Sequence, residues 1–181
     1  MNKATRVIGD RVLVIGISGS GKSTFSRALS ARTGLPVLHL DLHYWKPGWV
    51  KPVESEWRDL QREILASERW IADGNWYESL DVQLERTQTL VTLATPWWIC
   101  ATRAFRRGLR TPGGEMPTGC VDSRKRRIHD EWGMVGRIWR GRLSQPALAH
   151  NMVAEHGAHA AQYVLRSKRE VKEFLNGVSI D

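Results

Sequence analysis

The chain has 181 residues, 41% apolar and 25% charged, with a formal net charge of +8. That length fits one domain with a substantial core, and no apolar run approaches the roughly 18 residues a membrane span needs. The first residues carry no apolar stretch resembling a secretory signal, and two cysteines, Cys100 and Cys120, are too few for a disulfide scaffold. The charge is concentrated. Between Arg103 and Arg142 eleven basic residues face four acidic ones, a surplus of +7, while the rest of the chain has 16 basic and 15 acidic residues. Such a patch attracts anions, either nucleotide phosphates or a nucleic-acid backbone.

In chain order, Arg11 to Ile15 predicts a buried strand, and Lys22 to Arg32 a helix with Phe25, Ala28, Leu29 and Arg32 at helical spacing. Gly34 and Pro36 end that helix. Val37 to Leu40 predicts a second strand that delivers Asp41 at its carboxyl end. A loop punctuated by Pro47-Gly48 and Pro52 follows, then a helix opening at Pro52 or Val53, with Trp57, Leu60, Ile64 and Leu65 on one face. Trp70 to Ala72 is a third strand, ending in Asp73-Gly74-Asn75. Leu84 to Gln88 reads as a short helix or a turn, and Thr89 to Ala94 as the fourth strand.

Pro96 suits the first turn of the next helix, whose expected packed stripe is Trp98, Ala101, Thr102, Phe105 and Leu109, with Arg103, Arg107 and Arg110 on another side. Thr111 to Ser123, rich in glycine and proline, reads as a flap. Helix returns from about Ile128 to Arg142. Ser144 is the expected cap of a further helix that Gly157 stops, and Gln162 to Leu165 is the last strand. Ser167 and Glu170 then have capping-box spacing. Strands alternating with helices imply an α/β fold, a mostly parallel sheet covered on both faces. The whole, residues 1–181, reads as one domain with an acceptor-binding insertion at about 43–69 and a lid at about 106–127.

The run GISGSGKST, Gly16 to Thr24, stands between the first strand and the first helix. Its spacing is that of a phosphate loop. Gly16, Ser18, Gly19, Ser20 and Gly21 allow backbone N–H groups to converge on a phosphate at a helix N-terminus. Lys22 reaches the β- and γ-phosphates, Ser23 offers its hydroxyl to Mg²⁺, and Thr24 serves the helix or the α-phosphate side. The expected cofactors are therefore ATP and Mg²⁺.

Ligands of open parallel sheets collect at the carboxyl ends of the strands. Asp73 is assigned to the metal shell, alongside Ser23, and Asp41 to the acceptor side; capping of the following turn is the alternative for each. Trp45, Arg58, Asn75 and Arg110 complete the expected acceptor-binding set. Lys22, Asp41, Asp73, Arg103, Arg107 and Arg124 are the expected catalytic groups, the arginines bracketing the flap to surround a moving phosphoryl group and exclude water. His39 and His43 read as local packing or acceptor-pocket residues. The expected location is the cytoplasm, and the oligomeric state is open.

The runs HLDLHYWKPGW, WIADGNW and RIWR resemble those of the P-loop family known as DNA topology modulation proteins, relatives of adenylate kinase; the resemblance spans roughly residues 11–175. It implies the P-loop nucleoside triphosphate hydrolase fold in its nucleoside-monophosphate-kinase-like form, a three-layer α/β/α with a five-stranded parallel sheet in the order 2-3-1-4-5. It also implies an ATP-dependent, adenylate-kinase-like enzyme. The family's phosphate loop falls on Gly16 to Thr24, its second-strand aspartate on Asp41, and its Asp-Gly-Asn element on Asp73, Gly74 and Asn75. Where adenylate kinases carry proline and arginine, this chain has Asn75-Trp76, and the fourth strand closes on Ala94-Thr95 without the acidic residue often found there.

These features favour phosphoryl transfer from ATP to a nucleotide or another small anionic metabolite. The competing expectations are a nucleotide-gated nucleic-acid-binding protein, suggested by the basic segment, and a plain ATPase.

Overall fold

The computed structural model describes residues 6–74, 76–109, 117–120 and 124–180, with the side chains of residues 108, 124–128 and 180 outside the description. The main sheet has five parallel strands, β2 (Arg11–Ile15), β3 (Val37–His39), β4 (Trp70–Asp73), β5 (Thr89–Leu93) and β6 (Ala161–Leu165). Their spatial order is β3-β4-β2-β5-β6. Numbered within this sheet alone, that is 2-3-1-4-5, the expected order. A short additional strand β1 (Arg6–Ile8), which periodicity does not reveal, pairs in parallel with β7 (Val178–Ile180).

Alternation along the central strand produces the three layers, because successive side chains of a strand point to opposite faces. Val12 and Val14 enter a core with Phe25, Leu29, Ile71, Val91 and Phe174. Leu13 and Ile15 enter a second core with Trp70, Leu80, Leu84, Leu90 and Val153. The first core is covered by α1 (Lys22–Thr33) and α8 (Lys168–Gly177). The second is covered by α4 (Leu80–Leu84) and α7 (Ser144–His156).

Between β3 and β4 lie α2 (Leu40–Tyr44), a 3₁₀ turn at Pro47–Trp49, and α3 (Glu54–Ile64). A second 3₁₀ turn, Tyr77–Ser79, leads into α4. Helices α5 (Trp97–Leu109) and α6 (Arg124–Gly141) pack together beside the phosphate loop, around Cys100, Ala104 and Ile138.

Four expectations are corrected. Strand β3 stops at His39, so Asp41 sits in the first turn of α2 rather than at the strand end. The packed face of α5 is not the Trp98–Phe105–Leu109 stripe, which is 58%, 40% and 58% exposed, but Cys100 and Ala104, both fully buried. Ser144 caps nothing; Leu143 holds the N-cap position in helical geometry, because α7 follows α6 almost without a break. At α8, Ser167 Oγ accepts from the Glu170 amide at 3.2 Å as expected, but the Glu170 carboxylate reaches back to the Arg166 N–H, one residue earlier than a standard capping box, at 2.9 Å.

Phe174 joins α8 to the sheet. It is fully buried and its ring lies 5.8 Å from Phe25 and 5.0 Å from Tyr163. Phe174→Ala should therefore destabilise the fold by about 3–5 kcal/mol, measured by urea unfolding; a loss below about 1 kcal/mol would contradict this packing.

Candidate active site at the phosphate loop

Helix α1 begins without a side-chain cap. Its N-cap is Gly21, in the left-handed region at φ 104°, and the first helical bond runs from the Phe25 amide to Gly21 O at 2.9 Å. The amides of Lys22, Ser23 and Thr24 precede that bond and have no acceptor within the helix, so they face outward as donors. No acidic residue occupies the first turn to compete for them. Inside the loop, Ser20 N–H closes a tight turn on Ile17 O at 3.0 Å, and the buried Ser20 Oγ has no protein partner. These are the features of an anion cradle.

Gly19 is required by close approach. At φ 85°, a β-carbon there would stand 2.5 Å from the backbone oxygen of Cys100. Helix α5 thus lies directly against the loop and clamps it. Arg103 Nη1 donates to Gly19 O at 3.0 Å and to Ser20 O at 3.2 Å, and Thr95 Oγ1 donates to Ser20 O at 3.1 Å. Burial pushes the Cys100 thiol up to about 11, so it is an inert packing group.

Lys22 is buried and donates to Gly16 O at 2.8 Å. Burial lowers its pKa, opposed by the nearby carboxylates of Asp41 and Asp73 and reinforced by Arg107. Asp73, at the end of β4, is 4% exposed; its Oδ1 lies 2.7 Å from His39 Nδ1, and its buried Oδ2 has no partner. The pKa of Asp41 is raised, first by the protein crowded around it and then by Asp73, with Lys22 opposing. Yet its surface is solvent-exposed. Water access at that exposed surface limits the desolvation. Trp76 favours its charged form by aiming the indole at it, but Trp76 Nε1 closes no hydrogen bond of normal geometry.

The residues present suit a magnesium-bound triphosphate. Ser23 is exposed at the helix start, and the orphaned Asp73 Oδ2 is an oxygen donor awaiting a partner. Among the described residues no group of three or more His, Cys, Asp or Glu side chains forms a metal cage. Magnesium is commonly held by one or two protein oxygens together with substrate phosphates, and the donor set here is of that kind.

A cavity of about 1160 Å³ opens beside the loop, between α1, α5 and the start of α8. Ile99, Leu165, Val171 and Leu175 give it apolar walls, and Arg103, Arg106, Arg107, Arg166, Lys168 and Lys172 a cationic rim. Ser167 lines it as well as capping α8.

The other expected site residues are distributed unevenly. Arg107 reaches Ser18 Oγ at 3.4 Å but is held by both carboxylate oxygens of Glu131 in α6. Arg58 is engaged with both carboxylate oxygens of Asp81 and turns its charge toward α4. Trp45 belongs to an aromatic cluster, 5.0 Å from Tyr44 and 5.7 Å from Trp49. Asn75 and Arg110 lie outside the described residues, as do the side chain of Arg124, which begins α6, and residues 111–116 and 121–123 of the expected lid. The described lid residues 117–120 meet the acceptor loop: Gly48 N–H donates to Gly119 O at 3.1 Å, and Cys120 Sγ lies 3.5 Å from Lys46 O.

Sequence reasoning did not single out Glu131, Thr95, Lys172 or Trp76 as site residues. Thr95 follows a strand end and Trp76 follows Asp73-Gly74, which were the available signals. The other two come into place only through helix packing.

No protein-family model matches the chain. It is 30% identical over 129 residues to the uncharacterized protein YqaC of Bacillus subtilis (strain 168), covering 67% of this chain and 70% of that one. Among solved structures it is similar to a gluconokinase from Sinorhizobium meliloti 1021, with TM-score 0.55, 17% identity and coverage of 95% of this chain and 93% of that one. It is also similar to a shikimate kinase from Acinetobacter baumannii in complex with shikimate, with TM-score 0.56, 17% identity and coverage of 93% and 89%. At that identity the two structures share the fold. No described helix is long and apolar enough to cross a membrane.

The clamp on Gly19 yields a direct expectation. Gly19→Ala must move either the loop or α5, so binding of inorganic triphosphate with magnesium should weaken by about tenfold or more while the far-UV spectrum is kept. Unchanged affinity by calorimetry would show that this contact does not shape the cradle.

Proposed function

The chain belongs to the same family as Bacillus subtilis YqaC, and from that footing we propose that it is a small-molecule kinase, moving the terminal phosphoryl group of ATP to an acceptor hydroxyl. The observation that carries this reading is the convergence of the buried Lys22 with Asp41 and Asp73 at the mouth of the phosphate loop. A nucleotide-binding module needs the cradle alone. Two carboxylates beside it, one exposed and one buried with a free oxygen, supply what transfer to a second substrate requires.

In this reading the loop amides and the Lys22 ammonium bind the phosphate chain and hold its negative charge as it redistributes. Magnesium, when bound, neutralises the phosphate oxygens; Ser23 and Asp73 are the residues that would hold it. Asp41 orients the acceptor hydroxyl and takes its proton. The acceptor oxygen bonds to phosphorus as the bridging oxygen–phosphorus bond breaks, and ADP leaves with the electron pair. The nucleoside occupies the cavity between α1, α5 and α8, whose apolar walls and cationic rim suit a base and phosphates together.

The lid-side contact of Gly119 with the acceptor loop shields the acceptor hydroxyl from competition with water. The His39–Asp73 bond fixes the buried carboxylate and leaves one oxygen free for the metal shell.

The test is a screen of hydroxyl acceptors with γ-labelled ATP and magnesium, in which label should move to one acceptor class and not to water alone. Release of inorganic phosphate independent of every acceptor would make the protein an ATPase. Lys22→Ala should lower transfer by at least about a hundredfold with the fold intact, and near-normal turnover would overturn the assignment.

Asp41 gives a pH signature. Its pKa is raised, so the base is lost as pH falls through a value above the ordinary 4 or so of an aspartate, and kcat/KM should decline on the acid side from that higher point. Asp41→Asn should cost about a hundredfold or more in kcat and flatten that limb. An unchanged profile would remove Asp41 from proton transfer.

A further inference from the structure

We propose that the acceptor is an uncharged hydroxyl compound seated against an aromatic wall, rather than an anion; this rests on the phosphoryl-transfer reading above and names its substrate class. The acceptor side of Asp41 is built from rings. Tyr44 stacks on Trp76 with centroids 3.8 Å apart and meets Trp57 edge-on at 5.1 Å, and Trp57 lies 5.4 Å from Trp76. Trp76 also adjoins Gly74, where a β-carbon would stand 3.0 Å from its Cδ1. The cluster is therefore continuous with the Asp73-Gly74 strand end.

The guanidinium groups on this side are already matched. Of the residues between 43 and 84, the arginines are Arg58, Arg62 and Arg69. Arg58 is held by Asp81 through two donors, Arg62 by Asp59 and Glu85, and Arg69 by Asp10. Lys46 bonds Glu56 at 2.6 Å, and Lys51 stands exposed in the loop before α3. Recognition of a carboxylate or phosphate on a substrate ordinarily draws on a free guanidinium with its planar fork of donors. Here the half-buried fork, Arg58, faces a carboxylate of its own chain. The exposed group offered to an acceptor is instead the carboxyl of Asp41, whose ionised form repels an anion brought beside it.

What the wall does offer is neutral. The indole N–H of Trp57 is buried with no hydrogen-bond partner in the protein, Trp57 being only 4% exposed, and that of Trp76 is aimed at Asp41 without closing a bond of normal geometry. An indole N–H is a donor only, and a buried donor without an acceptor is costly. A hydroxyl or ether oxygen of a sugar-like or nucleoside-like ring satisfies such donors, while its C–H-rich or flat face packs on Tyr44 and Trp76. The expectation of an anionic acceptor, drawn from the basic composition, is revised on this ground. Among the described residues, the cations that line the cavity stand on the nucleotide side, at α5 and at β6–α8.

The experiment uses the full chain with magnesium and ATP, and compounds paired by skeleton but differing in charge: adenosine with its 5′-monophosphate, glucose with gluconate, and glycerol with glycerate. Label transfer is measured for each. Binding of the same compounds is followed by tryptophan fluorescence in the presence of a non-hydrolysable ATP analogue. The uncharged member of at least one pair should bind and accept phosphate with kcat/KM about tenfold or more above its anionic partner.

Asp81→Asn, which frees Arg58, should move that ratio toward the anion. Preference for the anionic member in the unmodified protein overturns the inference and leaves phosphoryl transfer standing. So does the absence of binding by any uncharged member while the ATP analogue still binds. Failure to bind the ATP analogue at all strikes the underlying kinase reading instead. The wild-type comparison decides the matter even if the Asp81 variant does not fold.

Discussion

Burying one ammonium group organises this molecule's functional end. Lys22 lies beneath its own loop on Gly16 O, and such a charge is tolerated in a protein interior only when it is hydrogen-bonded and faced by opposite charge. Asp41 and Asp73 provide that charge from the two strand-end segments beside the loop. Sheet order makes this possible. Strand β4 lies between β2 and β3, so the end of β4 and the chain leaving β3 each bring a carboxylate to the edge where the loop leaves β2. The lysine is thereby held ready for phosphate oxygens, and a phosphate chain entering the cradle can exchange places with the Gly16 carbonyl.

The closeness of α5 to the loop is the second constraint, and it explains a misreading of the sequence. Large apolar residues are normally the buried ones, and Trp98, Phe105 and Leu109 share one helical stripe. Yet the β-carbon clearance between Gly19 and the Cys100 carbonyl leaves room only for small side chains at the contact, so Cys100 and Ala104 face inward. The larger residues are displaced to an exposed face of α5, where Phe105 lies 5.5 Å from Trp132 of α6. Close backbone approach outweighed hydrophobic bulk.

Much of the architecture was legible from short-range chemistry. Alternating strand and helix patterns, the glycine spacing before Lys22, and the stop at Gly34 all rest on local rules, and the sheet order follows the resemblance. The elements that escaped depend on distant partners. The β1–β7 pair joins the two ends of the described chain, and the Arg107–Glu131 pair needs α5 and α6 to be packed first. Arg58 shows the same limit for the site. An arginine on an amphipathic helix reads as available for an anion until the structure reveals Asp81 across from it. Conversely, the adjacency of Asp41 and Trp76 has no local signature, because 35 positions separate them in the chain.

Phosphoryl transfer here requires the cradle, Lys22 and the two carboxylates to act together on a metal-bound triphosphate. Calorimetric titration of ATP into the full chain, first with magnesium and then with excess chelator, tests this most directly. Saturable binding of one nucleotide per chain in magnesium, weakening when the metal is removed, is the predicted result. Absence of binding under both conditions, or affinity indifferent to the metal, would contradict it.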